Sequence, residues 1–241
     1  MILSLSVNKI TNKNVSENTT KIIETLESNS GKVDLVCFGE TFLQGFDCLT
    51  WNFKTDKNIA VKQSSEPIRK IKRIAANFNI AVAFGYMELK NNKIFSSYLV
   101  ISKKGKIICN YRRISKGWKE PIADNHYCEG NKTGFFKIKN NKFAIGLCGD
   151  LWNDGILADC TANKPAVLLW PVYLDYTPKK WENDKFEYVS RVAKYNCDTV
   201  LVNSFCDEPD LAKGGAIHIK NGRLVSELAA GKVGELIIEI V

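Results

Sequence analysis

Apolar runs of strand length recur along the whole chain, and stretches with helical spacing fall between the runs of an early set and between those of a late set. Residues 1–7 and 33–40 are such runs. Between them, residues 14–29 carry Ile22, Ile23 and Leu26 on one face behind a cap at Asn14 or Ser16. Pro67 sits in the first turn of a second helix, and Ile68, Ile71, Ile74, Ala75 and Phe78 recur at helical spacing through Asn79. A meander follows at 80–89, 94–102 and 106–113, turning at Asn91-Asn92 and Lys104-Gly105. Residues 135–139 and a run ending at Cys148 form a hairpin across Asn140-Asn141. Strand–helix units then return, with a strand over 166–172, a helix over 178–196 and a strand over 199–205. The helix puts Trp181, Phe186, Val189, Val192 and Ala193 on its apolar side. A hairpin of 214–219 and 223–228 across Asn221-Gly222 and a strand over 234–241 complete the chain. Helices between strands predict sheets covered by helices, an α/β layered architecture. No linker or low-complexity stretch divides it, so one domain over 1–241 is expected.

Composition narrows the function class. Hydrophobic residues at 45% and charged residues at 25% are globular proportions and exclude wholesale disorder. A formal charge of +8 would suit nucleic acid. The lysines are dispersed through polar turns with no arginine-rich helix, however, so no nucleic-acid partner is expected. The eight cysteines lie mostly inside apolar runs without a CxxC pair, and the two histidines are isolated, so neither a disulfide framework nor a metal site is expected. Residues 1–7 are too short for a membrane span and lack the basic flank of a leader. A cytoplasmic protein with reduced thiols, no cofactor and no membrane partner is the expectation.

The run Lys142-Phe-Ala-Ile-Gly-Leu-Cys-Gly-Asp-Leu-Trp152 has the pattern of a buried strand that stops at Cys148 beside Gly149. A cysteine on a sharp turn at a strand end can meet a substrate together with backbone N–H groups, which is nucleophile geometry. An unperturbed thiol, with a pKa of about 8.5, needs a base or a cation to react at neutral pH. His126 lies in a loop and His218 in a late alternating strand, neither near a motif. Glu40 ends the apolar run 33–40, and a carboxylate among apolar neighbours is a better base than one in water.

The segments Gly39-Glu-Thr-Phe-Leu-Gln-Gly-Phe-Asp47, Tyr111-Arg-Arg113 and Gly146-Leu-Cys-Gly-Asp-Leu-Trp152, in that order, resemble the nitrilase superfamily of carbon–nitrogen hydrolases. The likeness continues through Leu169-Trp-Pro-Val172, Val200-Leu-Val-Asn-Ser204 and Gly214-Gly-Ala-Ile-His-Ile219. The resemblance implies a four-layer α-β-β-α sandwich and a Glu-Lys-Cys triad, with Cys148 as nucleophile and Glu40 as general base. It also implies a thioester intermediate, an oxyanion held by backbone N–H near Gly149 and Asp150 and by the triad lysine, and a homodimer built on a two-fold interface.

The chain departs from the pattern at the lysine, where it has Arg113. Arginine keeps the charge but is bulkier and planar. Lys116 and Lys119 in the polar loop 114–133 are alternative ammonium donors. Lys119 is favoured because it neighbours Glu120, which resembles the supporting glutamate of many amidases, and Arg113 is kept as the positional equivalent. Phe46, Trp152, Trp170 and Tyr173 are expected to line the substrate site, with Tyr176, Phe42 and Trp51 nearby and Asp175 or Asp150 facing a cationic or polar group. The substrate expected is a small amide, either an ω-amide or a carbamoyl compound. The run at Cys148 also resembles the glutaminase domains of NAD synthetases, though no synthetase domain follows within these 241 residues.

Overall fold

In the computed structural model, which describes residues 1–240, the early runs form one sheet and the late runs another. The first sheet contains β1 (Ile2–Val7), β2 (Leu35–Cys37), β3 (Ala81–Lys90), β4 (Lys93–Ile101) and β5 (Ile107–Arg112), in that spatial order. The second contains β6 (Gly134–Ile138), β7 (Asn141–Ile145), β8 (Val167–Val172), β9 (Asp198–Asn203), β10 (Ala216–Lys220) and β11 (Arg223–Leu228). A last strand, β12 (Gly234–Glu239), returns to the first sheet and pairs antiparallel with β1. Each sheet has a parallel centre, β1-β2-β3 in one and β7-β8-β9 in the other, flanked by antiparallel strands. Val241, the end of the expected closing strand, lies outside the described residues.

Alternation assigns the faces. In β2, Leu35 and Cys37 join the core between the sheets, which also holds Leu3, Leu5, Phe143 and Leu169. Val36 and Phe38 point the other way, onto Ile22 and Leu26 of α1 (Val15–Ser28) and Ile68 and Ile71 of α3 (Glu66–Asn77). A single four-residue turn of helix, α2 (Phe53–Asp56), lies in the connection between them. On the far side of the second sheet lie α4 (Asp154–Asn163) and α5 (Pro178–Val192), which contribute Ile156, Cys160, Trp181 and Val189 to the core. The four-layer α-β-β-α order is thus present.

Three local features differ from expectation. The strand expected over 33–40 pairs in the ladder only over Leu35–Cys37, because the chain then bends toward the second sheet and the Glu40 amide donates to the Val172 carbonyl at 3.2 Å. The turn before β7 falls a residue early, with Lys139 at φ +53°. Helix α4 was not foreseen: only Ile156 and Cys160 are buried along it, too few to mark a periodic face, and Asn153 caps it through the Gly155 amide. Among the described residues no helix is long and apolar enough to cross a membrane.

Candidate active site

Cys148 and Glu40 come from different sheets and meet where the carboxyl ends of the parallel strands converge, the usual place for a site in sheets of this kind. Glu40 follows β2 and is fully buried. Its carbonyl accepts from Ser204 Oγ, just past β9, at 3.0 Å, so its backbone is held by both sheets. Gly39 permits that approach: a Cβ there would stand 2.7 Å from the Ser204 amide nitrogen. The Glu40 carboxylate accepts from Ser96 Oγ and from Arg113 Nη1 through Oε1, both at 3.0 Å. Its other oxygen, Oε2, is buried without a partner among the described residues.

Cys148 ends the run after β7 and opens a 3₁₀ turn over Cys148–Trp152. Its φ of +43° is left-handed, a conformation that costs a side-chain-bearing residue about 1–3 kcal/mol and needs support from its surroundings. Trp170 Nε1 supplies part of that support by donating to the Cys148 carbonyl at 2.8 Å. Burial pushes the Cys148 thiol from its ordinary 9.0 up to about 12, the charge of Glu40 adds to the rise, and Arg113 opposes it. For Arg113 itself burial works against the charge, but Glu40, Cys148 and Asp150 outweigh it and hold the guanidinium firmly protonated.

Asp150 is a tie rather than a surface charge. Its carboxylate accepts from Tyr111 Oη at 2.6 Å, from the Leu147 amide at 2.9 Å, and from the Ile114 and Ser115 amides at 3.0 and 2.7 Å. These bonds fasten the strand end carrying Arg113 to the turn carrying Cys148. The backbone N–H of Asp150 donates to the Leu147 carbonyl at 2.8 Å, so it is spent within the turn.

The remaining expected residues divide. Lys119 Nζ pairs with Glu129 at 2.5 Å and donates to the Tyr127 carbonyl at 3.1 Å, while Arg113 is the cation in contact with Glu40. Glu120, Lys116 and Asp175 are exposed. Trp170 is fully buried and reaches the site only through its N–H, and Trp152 is 46% exposed on the outer side against Tyr188. Phe46 and Tyr173 do come together, ring centroids 4.9 Å apart, and the Tyr173 carbonyl lies 3.9 Å from Cys148 Sγ. Beyond Phe46 a cleft of about 220 Å³ opens between Asp47, Trp51, Gly117, Trp118 and Glu120. Sequence reasoning missed Ser96 and Ser115. A serine pair inside the apolar run Phe95-Ser96-Ser97-Tyr98 was the available signal for the first.

Residues 6–199 match the family described as carbon-nitrogen hydrolase. The chain belongs to that family. Carbon-nitrogen hydrolase relatives include an arylacetonitrilase of Hypocrea virens, 30% identical over 41% of this chain and 31% of its own length. A cyanide hydratase of Microdochium sorghi is 24% identical over 68% of this chain and 48% of its own length. The chain thus spans less than half the length of these curated relatives. Among solved structures, XC1258 of Xanthomonas campestris, a CN-hydrolase superfamily protein, superposes with a TM-score of 0.82 at 18% identity, covering 100% of this chain and 90% of that one. An amidase of Nesterenkonia sp. superposes with a TM-score of 0.80 at 14% identity, covering 99% of this chain and 89% of that one. The fold is shared with both.

Proposed function

We propose that this carbon-nitrogen hydrolase is a thiol amidase in which Cys148 is the nucleophile, Glu40 the general base and Arg113 the cation. The observation that carries the reading is the buried Glu40–Arg113 pair, held at 3.0 Å, with a free carboxylate oxygen beside a cysteine in a strained turn. A thiol raised to about 12 is protonated at neutral pH, so attack requires that its proton leave as the carbon–sulfur bond forms. Glu40 Oε2 takes that proton. The sulfur adds to the amide carbon, and the oxyanion is met by the Gly149 N–H and the Arg113 guanidinium. Collapse expels the amine, to which Glu40 returns the proton, leaving a thioester on Cys148. Water, deprotonated by Glu40, then attacks the thioester carbon; the carbon–sulfur bond breaks, the acid leaves, and Glu40 returns the proton to the Cys148 sulfur.

The substrate class is a small amide, an ω-amide or carbamoyl compound, as the family resemblance implies, and the cleft of about 220 Å³ beside Phe46, which Lys119 and Glu120 also line, has room for a small molecule only. The amidase of Nesterenkonia shares the fold and the curated relatives include an arylacetonitrilase, so both substrate classes belong in the test. An ammonia-release screen over small aliphatic amides, carbamoyl amines and nitriles tests the reading, with Cys148→Ala and Glu40→Gln as controls. Release must vanish in the first and fall by about 10²–10⁴-fold in the second. Full activity in either variant would refute the assignment, and turnover of nitriles alone would refute the amidase choice.

A second reading has an observation of its own, the arginine at position 113. It makes the chain a family relative that binds amides without hydrolysing them. Peptide mass after acid quench in the presence of the screened amides separates the two, because only a hydrolysing chain carries an acyl group on Cys148.

A further inference from the structure

Gly149 follows the nucleophile, and its φ lies outside the left-handed region, so the backbone there does not require glycine. The space above its Cα does. A Cβ at 149 would stand 2.8 Å from Arg113 Nη2 and 3.2 Å from Ser115 Oγ. The end of an arginine ordinarily swings away from such a contact. Here it is fastened at two other nitrogens, Nε donating to Ser115 Oγ at 2.8 Å and Nη1 to Glu40 Oε1 at 3.0 Å. Ser115 is fastened in turn, its amide donating to Asp150 Oδ1 at 2.7 Å. Neither neighbour can retreat without breaking a charge-assisted hydrogen bond.

We infer that Gly149, Ser115 and Arg113 form a matched set, in which the bare Cα at 149 seats the guanidinium and Ser115 sets its rotation over the Cys148 turn. Gly149 and Ser115 are positioning residues. Glu40 and Ser115 occupy Nη1 and Nε, so Nη2, the nitrogen against Gly149, is the donor turned toward the nucleophile's turn. The set has a chemical consequence that rests on the amidase reading. An arginine does not release a proton near neutral pH, so this cation stabilises charge but relays none, and every proton transfer falls to Glu40.

The test is a double-mutant cycle of Gly149→Ala and Arg113→Lys, with Ser115→Ala as a third arm. The readout is the rate of Cys148 alkylation by iodoacetamide between about pH 6 and 10, followed by peptide mass. It needs no substrate. Cys148 also faces Glu40, Asp150 and Tyr188, all retained in every variant. An added methyl that displaces the guanidinium removes a charge favouring the thiolate. Gly149→Ala is therefore expected to slow alkylation by about tenfold in the parent chain, equivalent to one pKa unit. In the Arg113→Lys background, where the fork is gone, the same change is expected to slow it by less than about twofold. Ser115→Ala, which frees Nε, should recover part of the loss. Equal slowing in both backgrounds would overturn the inference, because Gly149 would then be needed for something other than Arg113. If Gly149→Ala prevents folding, the melting temperature replaces the rate. Rescue by Arg113→Lys supports the set, and failure to fold in both backgrounds overturns it. A positive cycle in a chain that releases ammonia from no amide would leave the set standing and remove the amidase reading.

Discussion

At Cys148 and Arg113 burial acts in opposite ways on two neighbouring groups. The thiol is held protonated, and the guanidinium is buried at 4% exposure beside the Glu40 carboxylate. Removing one partner of a buried pair leaves an uncompensated charge, so Arg113→Ala is expected to cost about 3–5 kcal/mol of stability and to abolish ammonia release. Lys119 is spent on Glu129 and Tyr127, and Lys119→Ala should lower turnover by less than about threefold, a surface ion pair contributing about 1 kcal/mol or less. Steady-state turnover together with thermal melting of both variants checks the pair, and the reverse order of effects would return the cation's role to Lys119. The thiol predicts a pH dependence as well. Since burial and Glu40 place Cys148 near 12, its direct alkylation should rise about tenfold per pH unit from neutral upward, without levelling below pH 11. Removing Arg113 should slow it further at every pH. A plateau near pH 8 would mean that the thiol is not held protonated. Glu40 and Cys148 were legible in the sequence because each ends an apolar run at a glycine. The cation was not, since Arg113 and Lys119 are both basic residues near the same loop, and only their partners distinguish them.

The turn that carries Cys148 is an element that the rest of the chain holds in place. Asp150 accepts four hydrogen bonds, three of which tie the turn to the end of β5, and Trp170 of β8 holds the Cys148 carbonyl. Asp150→Asn keeps the size but offers an NH₂ group where N–H donors already point. It should cost about 2–4 kcal/mol in urea unfolding, in line with the loss of hydrogen bonds to a charged acceptor. Activity should fall with it even though the Asp150 side chain is spent on Tyr111 and backbone amides. Unchanged stability would show that the tie contributes nothing. From the sequence, Asp150 reads equally well as a charge facing substrate. A carboxylate's role depends on which donors the fold brings to it, and three of these four come from residues 111–115. Trp170 follows the same logic: an aromatic residue in an apolar strand is recognisable, but the carbonyl its N–H will meet is not.

Across the whole molecule, the two sheets repeat a parallel centre with antiparallel flanks, and the site lies where both parallel centres end. The interior of this arrangement holds many protonated groups. Burial raises Cys48, Cys148 and Cys160 from 9.0 to about 12, and raises Cys37, Tyr86, Tyr98 and Tyr111 as well. A raised pKa means the folded chain keeps protons that the unfolded chain has released. This stabilisation is complete below about pH 9 and is lost as pH climbs toward 12. Melting temperatures should therefore fall steadily from about pH 9 upward, and a constant value to pH 11 would contradict the burial of these groups. The layered α/β class, most strand positions and the places of Glu40 and Cys148 at strand ends follow from the sequence alone, because hydrophobic periodicity and glycine-bounded strand ends are local signals. Tertiary structure alone decided which cation reaches Glu40, what Asp150 and Trp170 hold, and why a glycine follows Cys148. Each of these depends on side chains far apart in the chain meeting within a hydrogen-bond length, and no local pattern encodes that distance.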